Sequence, residues 1–377
     1  MVSSFIGCII LRGRENCKIE NLFIVTAQDE FLQAALSELK HIEKRITSIE
    51  ELAPGVQLCS APDVPALMRR AALEPPIFVR HLAPVQITVA LHNAEQDVGE
   101  IATTLASLPT FTALERGRRF AVQSRLVQTD KSQGERAYSS GQLNRSLAEA
   151  FAEETGAVES IKKPQIVVSV LCTMHKGYLG ISTAEDNLSN WPGGARHFAQ
   201  VPEQISRAEL KLLEALEVFG ITLTEGEQVL DLGAAPGGWT RLLLDAHLSV
   251  VAVDPANLDP RLSRRPGLEH YRGYAENYLQ EAIKRRVRFD MIVNDMRMDA
   301  REAARALDTA ATCLRTDGVV ISVFKLPHET QEIHPLATLN EALHILRKRY
   351  GVVQARQLFH NRQEVTVVAA QPLVTRR

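Results

Sequence analysis

Two acids and a run of small residues carry the first chemical signal in this chain. In "VLDLGAAPGGWTRLLL", residues 229–244, an apolar run stops at Asp231 and is followed by Gly233, Ala234, Pro236, Gly237, Gly238 and Trp239. Glycines let a backbone approach a ligand closely and adopt positive φ. A second apolar run, "SVVAVD", ends at Asp254. An acid about 20 residues beyond such glycines can accept hydrogen bonds from both hydroxyls of an adenosine ribose. A dinucleotide loop requires G-x-G-x-x-G, whereas this one reads G-A-A-P-G-G-W, and Pro236 removes an amide that a pyrophosphate would use. The Lys-Ser/Thr of a P-loop is also missing. The pattern suits a ligand with an adenosine end and no phosphate. S-adenosylmethionine is such a ligand, and its sulfonium and amino-acid tail could use Asp231 and the loop amides.

Two more charges close apolar runs: Asp295 in "FDMIVND" and Lys325 in "VVISVFK". A charge in that position has to be paired or solvated. Each alone reads almost equally well as a solvated strand end. Together with the glycine loop they point to chemistry at one sheet edge.

The elements that must deliver these residues alternate regularly from Ser206 onward. "QVLDLG", "SVVAVD", "FDMIVND" and "GVVISVFK" are β-rich runs separated by helical segments, so the expected fold is α/β with a mostly parallel, Rossmann-like sheet. Upstream, "FIVTA" reads as a strand, "EFLQAALSELKHI" as an amphipathic helix and "FVRHLAPVQITVAL" as one or two strands. "RRFAVQSRLV" (118–127) is a strand, and "GQLNRSLAEAFAEETG" a helix closing on Gly156. "QIVVSVLCTMHKGYLGIS" is a hairpin turning near His175 to Gly177. The expected division is an extension at 1–20, an α/β unit at 21–109, an α+β unit at 110–186, a turn-rich linker at 187–205 and the Rossmann-like domain at 206–377.

Composition narrows the classes. The chain has 377 residues and a formal net charge of −2, so a nucleic-acid surface would be a local patch rather than a global property. The five cysteines (Cys8, Cys17, Cys59, Cys172, Cys313) include no C-x-x-C pair. They read as free thiols in a cytoplasmic protein, with no zinc site or other metal expected. "FIGCII" is too short for a membrane span. Basic clusters at 261–272, 283–288 and 346–351 are candidate RNA contacts, with Arg264, Arg265 and Arg286 foremost. Arg118, Arg119, Arg125, Arg145, Lys162 and Lys163 add others upstream.

"DLGAAPGGWT" is similar to the first motif of the FtsJ-like ribose 2′-O-methyltransferases, and "SRAELKLLE" (206–214) looks like the helix these carry just upstream. The resemblance extends over roughly residues 206 to 370. "ARQLFHNRQEVTV" resembles the branch of that family that methylates a cytidine ribose in large-subunit ribosomal RNA. Residues 110–186 resemble a THUMP domain, an RNA-binding module found in that branch, and 21–109 would be ferredoxin-like. The resemblance implies S-adenosylmethionine as cofactor, RNA as partner and a Lys-Asp-Lys-Glu tetrad. Carried over by motif, its members are Lys211, Asp295, Lys325 and Glu364. A ribose hydroxyl is a weak acid, and a base set in a charge network contributes typically ~10²–10⁴-fold to removing its proton. Lys325 is the residue expected nearest the 2′-oxygen, either cationic and orienting or desolvated and basic.

The chain also departs from the pattern. No clear acid stands in "YRGYAENY" to hold an adenine amino group. Tyr274 falls where it would be, with Glu276 nearby, and Asp295 is followed by Met-Arg-Met. The N/D-P-P-Y/F turn of base-amine methyltransferases is missing, since its place reads "NDMRMD". Cys313, in a helix-like run, is placed for a core rather than for a nucleophile. The alternatives are a non-catalytic RNA-binding protein on this fold and a base N-methyltransferase.

Overall fold

A computed structural model describes residues 21–127, 136–199, 201–328 and 334–373. The expected extension with Cys8 and Cys17, and part of the polar loop after the 118–127 strand, lie outside the described residues. Three sheets follow one another along the chain.

The first is antiparallel, in the order β2-β3-β1-β4, and interleaves with two helices. Its elements are β1 (Leu22–Thr26), α1 (Leu32–Ile42), β2 (Thr47–Ala53), β3 (Val56–Ser60), α2 (Val64–Leu73) and β4 (His81–Val85). Helix α1 buries Leu32, Ala35, Leu36 and Leu39, the one-sided spacing of a helix lying on a sheet.

The second sheet runs β5-β9-β8-β6-β7. It is built from β5 (Ile87–Ala90), α3 (Gln96–Ala106), β6 (Arg119–Leu126), α4 (Ser140–Thr155), β7 (Val158–Glu159), β8 (Ile166–Cys172) and β9 (Lys176–Thr183). Helix α4 starts on a reciprocal Ser139–Gln142 capping box and stops at Gly156, whose φ of 73° is the left-handed turn expected of a C-terminal glycine. This sheet keeps its own core around Phe120, Leu147, Phe151 and Ile166.

The third sheet has seven strands in the order β12-β11-β10-β13-β14-β16-β15. The chain passes through α5 (Glu209–Val218), β10 (Gln228–Leu232), α6 (Gly238–Asp245), β11 (Ser249–Val253), β12 (Leu268–Tyr271), α7 (Ala275–Lys284), β13 (Phe289–Asn294), α8 (Ala300–Ala310), β14 (Leu314–Lys325), α9 (Pro335–Arg347), β15 (Tyr350–Arg356) and β16 (Glu364–Pro372). β10 to β14 pair in parallel, and β16 inserts antiparallel between β14 and β15. The strands are apolar almost throughout because helices cover both faces. Cys313 is fully buried beneath them.

The first unit shares a continuous core with this domain, in which Phe23, Leu39 and Leu67 belong with Ile292, Phe324 and Val367. The junction is also hydrogen-bonded. Gln357 N–H donates to the Ile77 carbonyl at 2.7 Å, and the Arg356 guanidinium donates to the Val79 carbonyl at 3.0 Å. Among the described residues no helix is long and apolar enough to cross a membrane.

The topology relocates the basic clusters expected to meet RNA. Arg286 follows α7 and immediately precedes β13, and 346–349 immediately precede β15. Arg265 pairs with Asp245 at the end of α6, at 2.7 Å. These are amino-terminal ends of parallel strands, opposite the edge that carries Asp231, Asp295 and Lys325. The 261–272 cluster is divided: Arg265 lies toward the amino-terminal edge, whereas Arg272 follows β12 at its carboxyl end, next to Gly273 of the cleft.

Candidate active site

The carboxyl ends of β10, β11, β13 and β14 open into a cleft of about 1390 Å³. Every residue singled out from the sequence as a site candidate lines it except Gly237. Gly237 is the residue before α6, at φ 107°.

Lys211, Asp295, Lys325 and Glu364 converge at one point of this cleft. Lys211 Nζ lies 2.7 Å from Glu364 Oε2 and 3.4 Å from Asp295 Oδ1. Lys325 Nζ lies 2.8 Å from Glu364 Oε1 and also contacts Asp295. Two ammonium groups thus alternate with two carboxylates. The four side chains are only 16–22% exposed. Lys325 and Glu364 are direct register partners across β14 and β16, so the sheet itself faces one toward the other. Asp295 follows β13, where Asn294 donates to the Ser322 hydroxyl of β14 at 2.9 Å in the buried interior.

The electrostatics fix the state of Lys325. Burial alone would lower its proton affinity, but Asp295 and Glu364 outweigh that and hold it above the ordinary lysine value. Burial pushes Glu364 upward, and Lys325 with Lys211 more than reverses this, leaving its carboxyl below the ordinary value. The group is therefore a charge-balanced network with Lys325 as ammonium at neutral pH.

The other half of the cleft is acidic. Asp231, 2% exposed, has its carboxyl pushed up to about 7 by burial; the Thr240 hydroxyl, donating at 2.6 Å, opposes this, and Asp295 and Asp254 add to it. Such an acid is relieved either by a proton or by a cation placed beside it. Asp254 accepts from the amides of Ala235 at 3.1 Å and Ala256 at 2.8 Å, which ties the end of β11 to the glycine loop. Tyr274, 65% exposed, presents its ring at the rim ahead of α7, and Glu276 lies in the first turn of that helix.

The glycines answer to neighbouring protein atoms. A Cβ on Gly233 would lie 3.0 Å from the Met296 Cα, and one on Gly238 would strike the Ser206 hydroxyl and come within 3.0 Å of Glu209 Cγ. A Cβ on Gly237 would strike Leu262. The bare loop thus lets β13, the start of α5 and the 258–262 segment close around it. Trp239 has the same structural character. Its ring is buried in the core, and its indole N–H donates at 2.7 Å to the carbonyl of Ala208, just before α5. It anchors the helix that carries Lys211.

Three further residues hold the site and are not singled out by sequence reasoning. Thr240 grips Asp231. Glu214, on the same helix as Lys211, accepts from the amides of Phe359 at 2.8 Å and His360 at 2.9 Å. Arg80, from the first unit, donates to the carbonyls of Leu358 at 2.9 Å and Asn361 at 3.0 Å. Glu214 and Arg80 together pin the loop that enters β16, and with it the position of Glu364. The only available signal was Glu214 standing three residues after Lys211; Arg80 had none, because its partners are backbone atoms about 280 residues away in sequence.

Comparison with known proteins adds a family likeness over part of the chain. Residues 204–354 match the model of the FtsJ-like methyltransferase family. "Ribosomal RNA large subunit methyltransferase M" of Halorhodospira halophila is 36% identical over 183 residues, 48% of this chain and 51% of that protein. The protein of the same name from Xylella fastidiosa is 31% identical over 211 residues, 50% of this chain and 54% of that one. The chain spans about half the length of the curated relatives it matches. Among solved structures, TrmN from Thermus thermophilus covers 93% of this chain and 99% of its own, at 18% identity and a TM-score of 0.39. The weight therefore rests on the sequence relatives and on the residues in the cleft, and the likeness to the FtsJ-like methyltransferase family is confined to residues 204–354.

Proposed function

We propose that this chain transfers a methyl group from S-adenosylmethionine to the 2′-hydroxyl of a ribose in large-subunit ribosomal RNA. The observation that carries the reading is the convergence of Lys211, Asp295, Lys325 and Glu364 beside a cleft whose other half is acidic. The residues fit the cofactor: Asp231 is a buried acid that a cation would relieve, and Asp254, tied to the glycine loop, would accept from an adenosine ribose. Gly233, Ala234, Pro236, Gly237, Gly238 and Trp239 would shape that pocket, with Tyr274 as a ring at its rim. When bound, the cofactor supplies an electrophilic methyl.

The chain's part is to hold the hydroxyl oxygen in line and to manage its proton. Lys325, kept as ammonium by two carboxylates, suits a donor to the 2′-oxygen that steadies negative charge developing there. Its hold on its own proton weakens once a second cation lies beside it. Lys211 holds Glu364, and Asp295 bridges the two lysines. The unit expected at 21–109, as a ferredoxin-like module, and that at 110–186, as a THUMP-like module that also takes in β5 and α3 through its sheet and core, would deliver the RNA, with 187–205 as the linker to the domain at 206–377. The enzyme would work in the cytoplasm.

The test is transfer of tritium from labelled S-adenosylmethionine to unmodified large-subunit ribosomal RNA, followed by alkaline hydrolysis. A 2′-O-methyl leaves the labelled nucleotide joined to its 3′ neighbour. Label recovered in a single nucleotide would mean base methylation, and no transfer would leave a binding protein on this fold.

A further inference from the structure

Three arginines stand at the cleft with nothing to hold. Arg207 lies two residues ahead of α5, Arg297 two residues beyond Asp295, and Arg362 two residues ahead of Glu364. All three are exposed and line the cleft. Among the described residues none of their guanidinium groups has a hydrogen-bond or ion-pair partner. Other arginines of this domain are committed: Arg241 to Glu209 and Asp245, Arg261 to Asp259, and Arg301 to Asp299. The tetrad between them is already balanced, so the three cations are uncompensated.

Their place along the sheet matters. Asp231, Asp254 and Glu276 belong to the β10, β11 and β12 side, whereas Arg297 and Arg362 flank β13 and β16. Arg297 and Arg362 favour an anion on the β13–β16 side, and Arg207, next to the Ser206 that meets Gly238, adds a third cation at the start of α5. Arg362 also rests on an immobilised loop. Arg80 and Glu214 pin residues 358–361, and Asn361 Oδ1 accepts from the Leu358 amide at 2.9 Å. A fixed base with a free guanidinium is preorganised for a ligand.

We infer that Arg207, Arg297 and Arg362 form a rim that grips the phosphodiesters on either side of the target ribose and so presents its 2′-hydroxyl to the tetrad. This rests on the reading of the tetrad given above. A ribose within an RNA strand brings one phosphate on its 5′ carbon and another beside the 2′-hydroxyl itself, so any strand seated there places anions next to the reacting oxygen. Guanidinium groups match such oxygens with paired donors, which an ammonium cannot do.

The test uses the full chain and a fluorescein-labelled single-stranded oligoribonucleotide, titrated across a potassium chloride series. Each phosphate contact on single strands contributes roughly 0.7 to the slope of log affinity against log salt, so R207Q/R297Q/R362Q should lower the slope by about 2. The corresponding triple lysine variant should keep most of it, and Arg347→Gln, at the end of α9 just before β15 and so at the opposite edge of the sheet, should change neither. In methyl-transfer assays the single Gln variants should raise KM for RNA and leave S-adenosylmethionine binding, measured by calorimetry, unchanged. A folded triple Gln variant that binds with the parental slope overturns the inference. Failure of the parent protein to methylate RNA overturns the functional reading instead, because the binding slope is read without catalysis.

Discussion

Replacing Asp231 with asparagine should make the empty protein more stable and the enzyme inactive. The carboxyl is nearly sealed from water, accepts from Thr240, and is pushed from 3.8 up to about 7, first by burial. For an acid held more weakly ionised in the folded state than in the unfolded one, the folded state binds the proton more tightly. The penalty for ionising it is therefore absent below pH 4, grows as pH rises toward 7 and is complete above that. At 1.36 kcal/mol for each tenfold change in proton affinity, the ceiling is roughly 4 kcal/mol. Asparagine stands in for the protonated acid, and its carbonyl can still accept from Thr240. The variant should match the parent at pH 4 and exceed it at pH 8. For a domain of this size the gain is about 2–4 °C per kcal/mol, hence a rise of up to roughly 8–16 °C. Scanning calorimetry of both proteins at the two pH values reads this directly. Added S-adenosylmethionine should raise the parent's transition and leave the variant's in place. Equal pH dependence in the two proteins would refute the assignment of Asp231 as a cofactor-facing acid held under penalty.

Lys325→Ala should lower methyl transfer by at least ~10²-fold with cofactor binding retained, as measured by single-turnover tritium transfer and calorimetry. Trp239→Phe keeps the buried ring and deletes the bond to Ala208, whose carbonyl still accepts from the Lys211 amide at 3.0 Å; it should cost about 1 kcal/mol for the lost hydrogen bond and reduce kcat by loosening Lys211, seen in chemical denaturation and steady-state kinetics. Arg80→Ala removes the donor to the Leu358 and Asn361 carbonyls; new cleavage within 357–362 under limited proteolysis should accompany a fall in activity.

The strands of the third sheet were readable because each is a short apolar run closed by a charged or small residue, and those closing residues are the chemistry. Asp231, Asp254, Asp295 and Lys325 announce themselves by interrupting a buried pattern. Lys211 and Glu364 do not, and only the resemblance to a family singled them out. On a sequence Lys211 is one charge on an amphipathic helix, and Glu364 one charge at a strand start. Which sheet edge the basic clusters meet was not legible, for a topological reason. Charge runs gather at helix ends, and in a parallel sheet the helices end at the edge away from the ligands. Arg207, Arg297 and Arg362 are isolated in sequence and gather only in space, so no composition window detects them. The glycines were visible, but their cause was not, since Met296, Ser206 and Leu262 approach them from distant parts of the chain.

The order in which the last strands join the sheet has a bearing on when the enzyme can exist. β16 is reached after β15 yet lies inside it, next to β14, and it alone brings Glu364. A polypeptide organised only as far as β15 would set two lysines against a single aspartate, one positive charge in excess beside the pocket for a sulfonium. Pairing of the final strand with β14 would remove that excess, so the contact that completes the sheet would also make the pocket hospitable to the cationic cofactor proposed for it.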